Sequence, residues 1–175
     1  MIKKNEMRNL LKSFLFAFKG IAYCIKNERN MRIHICTTIL VLLFSFFYKT
    51  NSVETALLLI SIGLVIANEM NNTAIETLTN MTSPSYNNLA KITKDVAAGA
   101  VFISAMVALF VGIIVFGKPK RLLNTLILIA TNPVYCSIFV VLIVVSVLFI
   151  FNGAKLFGEP KTKIYHMKNF DEKKH

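Results

Sequence analysis

A chain of 175 residues that is 55% hydrophobic carries more apolar surface than a soluble core of that size buries, which excludes a water-soluble globular domain. Its formal charge of +11 comes from Lys and Arg scattered around the apolar runs, so it points to membrane orientation and anionic lipid and away from nucleic acid as a partner. Cys24, Cys36 and Cys136 are odd in number, far apart and without a Cys-x-x-Cys pair, so they indicate neither a disulfide framework nor a thiolate metal site and read as small apolar core residues.

Residues 7–26 place Met7, Leu10, Leu11, Phe14, Leu15 and Phe18 at i, i+3, i+4 spacing, with Arg8, Lys12, Lys19 and Lys26 mostly on the other side. That periodicity predicts an amphipathic helix with too many lysines to span, lying in the headgroup plane. The lysines also break the run that a cleavable signal peptide needs. A first span is expected over 31–48, with His34 as an interfacial or packed histidine, followed by a tight turn at 49–52. The second span starts near Val53 and continues as one helix of about 30 residues into a polar stripe, outrunning the bilayer.

On that stripe Glu69, Asn72, Thr73, Glu76 and Asn80 fall within an arc roughly 100° wide, so one helix face carries all of them. At 1.5 Å per residue Glu69 lies roughly 24 Å from the helix start and Glu76 about 10 Å further on. That places Glu69 near the headgroup boundary and Glu76 in water, where a lipid hydroxyl meets a water-soluble co-substrate. Pro84 ends the helix, and a third span is expected from about Lys94 to Phe116, with Ala98, Ala105 and Gly112 as close-packing positions.

Residues 122–131 are apolar but too short to cross, Asn132-Pro133 interrupts them, and Val134 to Phe151 is long enough for a fourth span. The expected fold is an all-α integral membrane helical bundle. It comprises a surface helix (1–30), a three-span core (31–117), an extra apolar segment with a fourth span (118–153) and a polar tail (154–175). Four spans put both termini on one side, with sixteen of the twenty Lys and Arg beside them, so the polar ends of the spans face the cytoplasm of a plasma-membrane protein.

Under this topology Glu28, Glu69, Glu76 and the Lys94-Asp95 pair opening span three meet at one membrane depth. Carboxylates without a Cys or His cluster are an oxygen-ligand set that suits Mg²⁺, and a lysine at a helix start suits a phosphate. Together with the amides these make a site for phosphoryl transfer. The seven glycines form neither Gly-x-x-x-x-Gly-Lys-[Ser/Thr] nor Gly-x-Gly-x-x-Gly, which excludes P-loop and protein-kinase folds. His34, His166 and His175 lack zinc spacing, and no Gly-x-Ser-x-Gly is present.

Glu69-Met-Asn-Asn-Thr-Ala-Ile-Glu76, followed by Leu89-Ala-Lys-Ile-Thr-Lys-Asp-Val-Ala-Ala-Gly-Ala-Val101, resembles the signature of the small prokaryotic diacylglycerol kinase and undecaprenol kinase family. The resemblance covers roughly residues 8–117, and Glu28-Arg-Asn-Met-Arg-Ile-His34 resembles the undecaprenol branch more than the diacylglycerol branch. It implies a homotrimer of three-span subunits with active sites shared between neighbours, a membrane lipid alcohol as substrate, ATP as co-substrate and Mg²⁺ as cofactor.

Carried over by position, Glu69 matches the general base for the lipid hydroxyl, Asn72 the amide beside the reacting phosphate, and Glu28 and Glu76 the metal ligands. Lys94 and Asp95, with Ser85, Tyr86 and Asn87, match nucleotide contacts. Phe16, Lys12 and Lys19 fall near positions that approach nucleotide and lipid. Three departures stand out: Asn80 replaces an expected aspartate, Asn87 a common histidine, and a fourth span is appended. The last lacks the motifs of a fused lipid phosphatase and reads as an anchor or protein-contact element. The competing readings are diacylglycerol as acceptor, a small transport or helper subunit whose stripe lines a solute path, and an inactive homologue marked by Asn80.

Overall fold

In lipid an apolar run satisfies its backbone hydrogen bonds within itself only as a helix. In the computed structural model the described residues, 4–82 and 87–156, form six helices and no strand. They are α1 (Lys4–Asn27), α2 (Arg29–Tyr48), α3 (Ser52–Thr82), α4 (Asn88–Phe116), α5 (Pro119–Thr131) and α6 (Pro133–Leu156). Four of them, α2, α3, α4 and α6, are long and apolar enough to cross a membrane. Ser85, Tyr86 and most of the expected tail lie outside the described residues.

The turn between α2 and α3 is held by its own backbone and by α5. Thr50 N–H donates to Ser45 O and Lys49 N–H to Phe46 O, both at 3.2 Å, which is the Schellman closure with Lys49 in the left-handed region at φ 56°. Asn51 and Glu54 then cap α3 reciprocally, each side chain accepting the other's backbone N–H at 2.9 Å. Lys118 Nζ reaches Glu54 at 2.6 Å and Arg121 Nη1 reaches it at 3.3 Å. Arg121 also donates to the carbonyls of Tyr48 and Lys49 and stacks 4.3 Å over the Tyr48 ring.

Two sequence expectations change. Span three begins six residues before Lys94, because Asn87 Oδ1 accepts Leu89 N–H at 2.8 Å and starts the helix at Asn88. Lys94 is therefore the seventh residue of α4, beyond the first turn where the helix end favours a phosphate. The short segment at 122–131 is a helix in its own right, α5, of 13 residues or about 20 Å, too short to cross. It starts beside Glu54 and ends at Asn132, which caps α6 through Val134 N–H at 3.0 Å. Both ends lie at one end of the bundle, so α5 runs across that end.

The four long helices alternate in direction. α3 packs chiefly on α4, while α2 lies between α3 and α6. Phe47 touches the Tyr135 and Phe139 rings at one end of the α2–α6 pair, and Arg32 reaches Ile150 O at the other. The buried apolar set is small, with Met31, Cys36, Tyr48, Leu58 and Val65 prominent, while Phe46, Ile60, Phe102 and Ile114 face outward. Outward apolar side chains on long helices are what lipid as solvent requires, and this is a membrane protein.

Candidate functional site

The α3 stripe turns inward at its centre. Glu69 is 1% exposed, Asn72 and Thr73 are buried, Glu76 is half-buried and Asn80 is exposed. Asn72 Nδ2 donates to Glu76 Oε1 at 3.0 Å, an i, i+4 link that points both side chains the same way. Thr73 returns its hydroxyl to Glu69 O at 3.0 Å and also meets the Cys24 thiol, which ties α1 to the stripe. Burial raises the Cys24 pKa, so this cysteine stays a neutral thiol.

Glu28 is the residue between α1 and α2. It sits at the N-cap of α2 in extended conformation, yet its side chain makes no capping bond. Its carboxylate instead lies within electrostatic range of Glu69 and Glu76, so three acidic groups from two places in the sequence gather in one chain. Burial pushes the Glu28 pKa up, the charge of Glu76 adds to that, and Arg32 opposes both.

Four buried side-chain oxygens, Asn27 Oδ1, Tyr48 Oη, Glu69 Oε2 and Asn72 Oδ1, have no hydrogen-bond partner among the described residues, and the last two lie on the α3 stripe. A buried unpaired acceptor costs about 1–3 kcal/mol, so such a group signals a partner that arrives from outside. Hard oxygen acceptors beside carboxylates suit a divalent cation or a donating hydroxyl. Among the described residues no three His, Cys, Asp or Glu side chains form a complete metal cage. Mg²⁺ does not require one, since it is commonly held by one or two carboxylates plus phosphate oxygens.

His34 Nε2 stands 3.9 Å from Glu69 Oε2, outside hydrogen-bonding distance. His34 also lines a groove of about 610 Å³ between α2, α3 and α4, with Val41, Leu58, Val65, Ala108, Phe116 and Leu122. Through His34 the polar stripe thus adjoins an apolar trough.

The remaining sequence candidates are more dispersed. Lys94 Nζ donates to Asn80 Oδ1 at 2.6 Å, so α4 joins the outer end of the stripe, with Asp95 exposed beside it. Asn87 Oδ1 is committed to capping α4. Lys12, Phe16 and Lys19 are exposed on α1, with Lys19 Nζ 5.8 Å over the Phe16 ring, and the chain does not bring them to the stripe.

A family model for prokaryotic diacylglycerol kinase matches residues 15–116, more than half of the chain, including Glu28 and the whole α3 stripe. The chain belongs to the prokaryotic diacylglycerol kinase family. This makes it a membrane lipid kinase. Over 115 residues it is 40% identical to a diacylglycerol kinase of Synechocystis sp., covering 63% of this chain and 66% of that protein. It is 33% identical to the undecaprenol kinase of Bacillus subtilis over 113 residues, 65% of this chain and 92% of the relative. A diacylglycerol kinase of Haemophilus influenzae is 30% identical over 105 residues, 59% of this chain and 88% of that one.

The prokaryotic diacylglycerol kinase match ends where α5 begins, so α5 and α6 are additions to the family core. Sequence reasoning missed Arg32 and Asn27, and it assigned His34 no part in the site. For Arg32 the signal was its position one turn after Glu28 at the edge of an apolar run. Asn27 is simply the chain neighbour of Glu28, whereas only the packing of α2 on α3 brings His34 to Glu69.

Proposed function

We propose that this kinase moves the γ-phosphoryl group of ATP to the hydroxyl of undecaprenol, with Mg²⁺, at the cytoplasmic face of the plasma membrane and as a homotrimer. The observation that carries the reading is Glu69: a buried carboxylate with an unpartnered oxygen, 3.9 Å from His34, which lines an apolar groove. An isoprenoid chain lies in the groove and presents its terminal hydroxyl to Glu69. As the hydroxyl oxygen attacks the γ-phosphorus and ADP departs, Glu69 takes the proton. Asn72, fixed by its bond to Glu76, holds the amide beside the phosphoryl group. Glu28 and Glu76 hold the Mg²⁺, which when bound neutralises charge on the phosphates. Lys94 and Asp95 hold the nucleotide from α4, with Ser85, Tyr86 and Asn87 from the preceding turn and Lys12, Phe16 and Lys19 from α1.

Diacylglycerol is the second reading of the acceptor, favoured by the higher identity to the Synechocystis relative. Competing the two lipids for labelled ATP in one preparation decides between them, and the undecaprenol product is expected to dominate. In the same assay Glu69→Gln is expected to lower turnover by about 10² to 10⁴, the usual value of a positioned general base. Unchanged turnover in a folded variant refutes the base assignment, and absence of any lipid-dependent ATP consumption refutes the kinase reading.

A further inference from the structure

The appended helix α6 does more than lie beside α2. It meets the site at Arg32, a guanidinium that is 4% exposed and surrounded by carbonyls. Arg32 Nε donates to Ile150 O of α6 at 3.3 Å, and Nη1 donates to Ile25 O at 3.1 Å and Lys26 O at 3.0 Å. The last two acceptors belong to the final turn of α1, whose carbonyls have no helical donors of their own. A buried cation needs these acceptors, because it has no water to replace them.

Gly153 is what admits the guanidinium. A Cβ at that position would lie 2.5 Å from Arg32 Cδ and 2.8 Å from Nε, so any side chain there forces the Arg32 side chain to shift. The pairing continues on both sides of this contact. Cys36 Sγ is 4.0 Å from Ser146 O, and the Arg29 guanidinium lies 4.8 Å over the Phe151 ring. Arg29, Arg32, Ile25 and Lys26 bracket Glu28, and the charge of Arg32 acts on Glu28 directly.

We propose that α6 is a clasp that uses Gly153, Ile150 and Arg32 to hold the junction of α1 and α2, and so positions Glu28 against Glu76. Arg32 is then a positioning residue for the metal-bearing carboxylates, and α6 supports the site as well as anchoring the chain. The inference rests on the kinase reading only for its effect on turnover; the clasp itself is a matter of geometry.

The test uses the full chain in lipid bilayers. Mn²⁺, a paramagnetic substitute for Mg²⁺, is titrated by electron paramagnetic resonance without ATP or acceptor, and steady-state kinetics follow separately. Gly153→Val is expected to weaken Mn²⁺ binding and raise KM for the metal–ATP complex, each about tenfold as a charged hydrogen bond is lost, with KM for the lipid within about twofold. Arg32→Lys, which cannot span the three carbonyls, is expected to do the same, and the double variant to be no worse than Arg32→Lys alone. Val145→Leu, at an exposed position of α6, is expected to change neither quantity. Unaltered Mn²⁺ affinity in Gly153→Val, or additive effects in the double variant, overturns the clasp. Mn²⁺ binding that is present in wild type and weakened in Gly153→Val, in a wild type that never consumes ATP, supports the clasp and refutes the kinase reading alone.

Discussion

Glu28 carries an electrostatic burden that Arg32 relieves only in part, and its pH behaviour follows from that. Its pKa is raised in the folded chain, so between the ordinary carboxylate value and the raised one the folded state binds more protons than the unfolded state. Stability of the metal-free protein is therefore greatest below that window and falls as pH rises through it. Thermal unfolding without divalent cations is expected to occur at a progressively lower temperature as pH is raised from the ordinary carboxylate range towards neutrality. Added Mg²⁺ is expected to reduce this fall, and Glu28→Gln to remove Glu28's part of it while abolishing Mg²⁺-dependent turnover. Asn80 behaves differently. Its amide oxygen already accepts the Lys94 ammonium at 2.6 Å, so the loss of the expected aspartate costs a charge but keeps the contact. Asn80→Asp adds an exposed ion pair worth about 0.2–1 kcal/mol, which predicts a change in ATP turnover below about fivefold. Activity arising from none in that variant indicates an inactive homologue instead.

At the scale of elements, long apolar periodicity announces α2, α3 and α6 because lipid leaves a run of that length no other structure. The start of α4 was hidden. Asn88 to Thr93 is too polar to read as membrane span, and the helix begins there because one side chain, Asn87, satisfies an N–H locally. The α5 helix was hidden for a related reason: its stability comes from outside its own residues, through the ties from Lys118 and Arg121 to Glu54. The α3 stripe, by contrast, was legible because its polar residues share one helical face. What periodicity does not contain is the approach of α1 and α6 to that face, which depends on contacts such as Arg32 with Ile150. Lys49 offers an element-scale test. A lysine at φ 56° pays for a conformation that glycine adopts freely. Lys49→Gly is expected to raise the unfolding temperature slightly, by up to about 1 kcal/mol of stability, without affecting turnover.

The molecule as a whole has one group of residues its own fold leaves unused. The carboxylates of Glu28, Glu69 and Glu76 gather within a single chain, while Lys12, Phe16 and Lys19 stand exposed on α1 away from the stripe. If these α1 residues contact a nucleotide, the nucleotide is bound at the stripe of a neighbour. This division predicts which inactive variants rescue each other when mixed. Glu28→Gln and Glu69→Gln each damage the same cis group, so co-assembled chains always contain sites with at least one lesion and no activity is expected to return. Lys12→Met/Lys19→Met and Glu69→Gln damage different parts of a shared site. In a cyclic trimer formed from equal amounts, about a quarter of sites then combine an intact α1 with an intact stripe, and about that fraction of wild-type turnover is expected. Co-purification through two affinity tags, followed by lipid-dependent ATP consumption, measures it. Rescue of Glu28→Gln by Glu69→Gln places the carboxylates in trans and refutes the single-chain site; no rescue by the α1 variant removes α1 from any shared site.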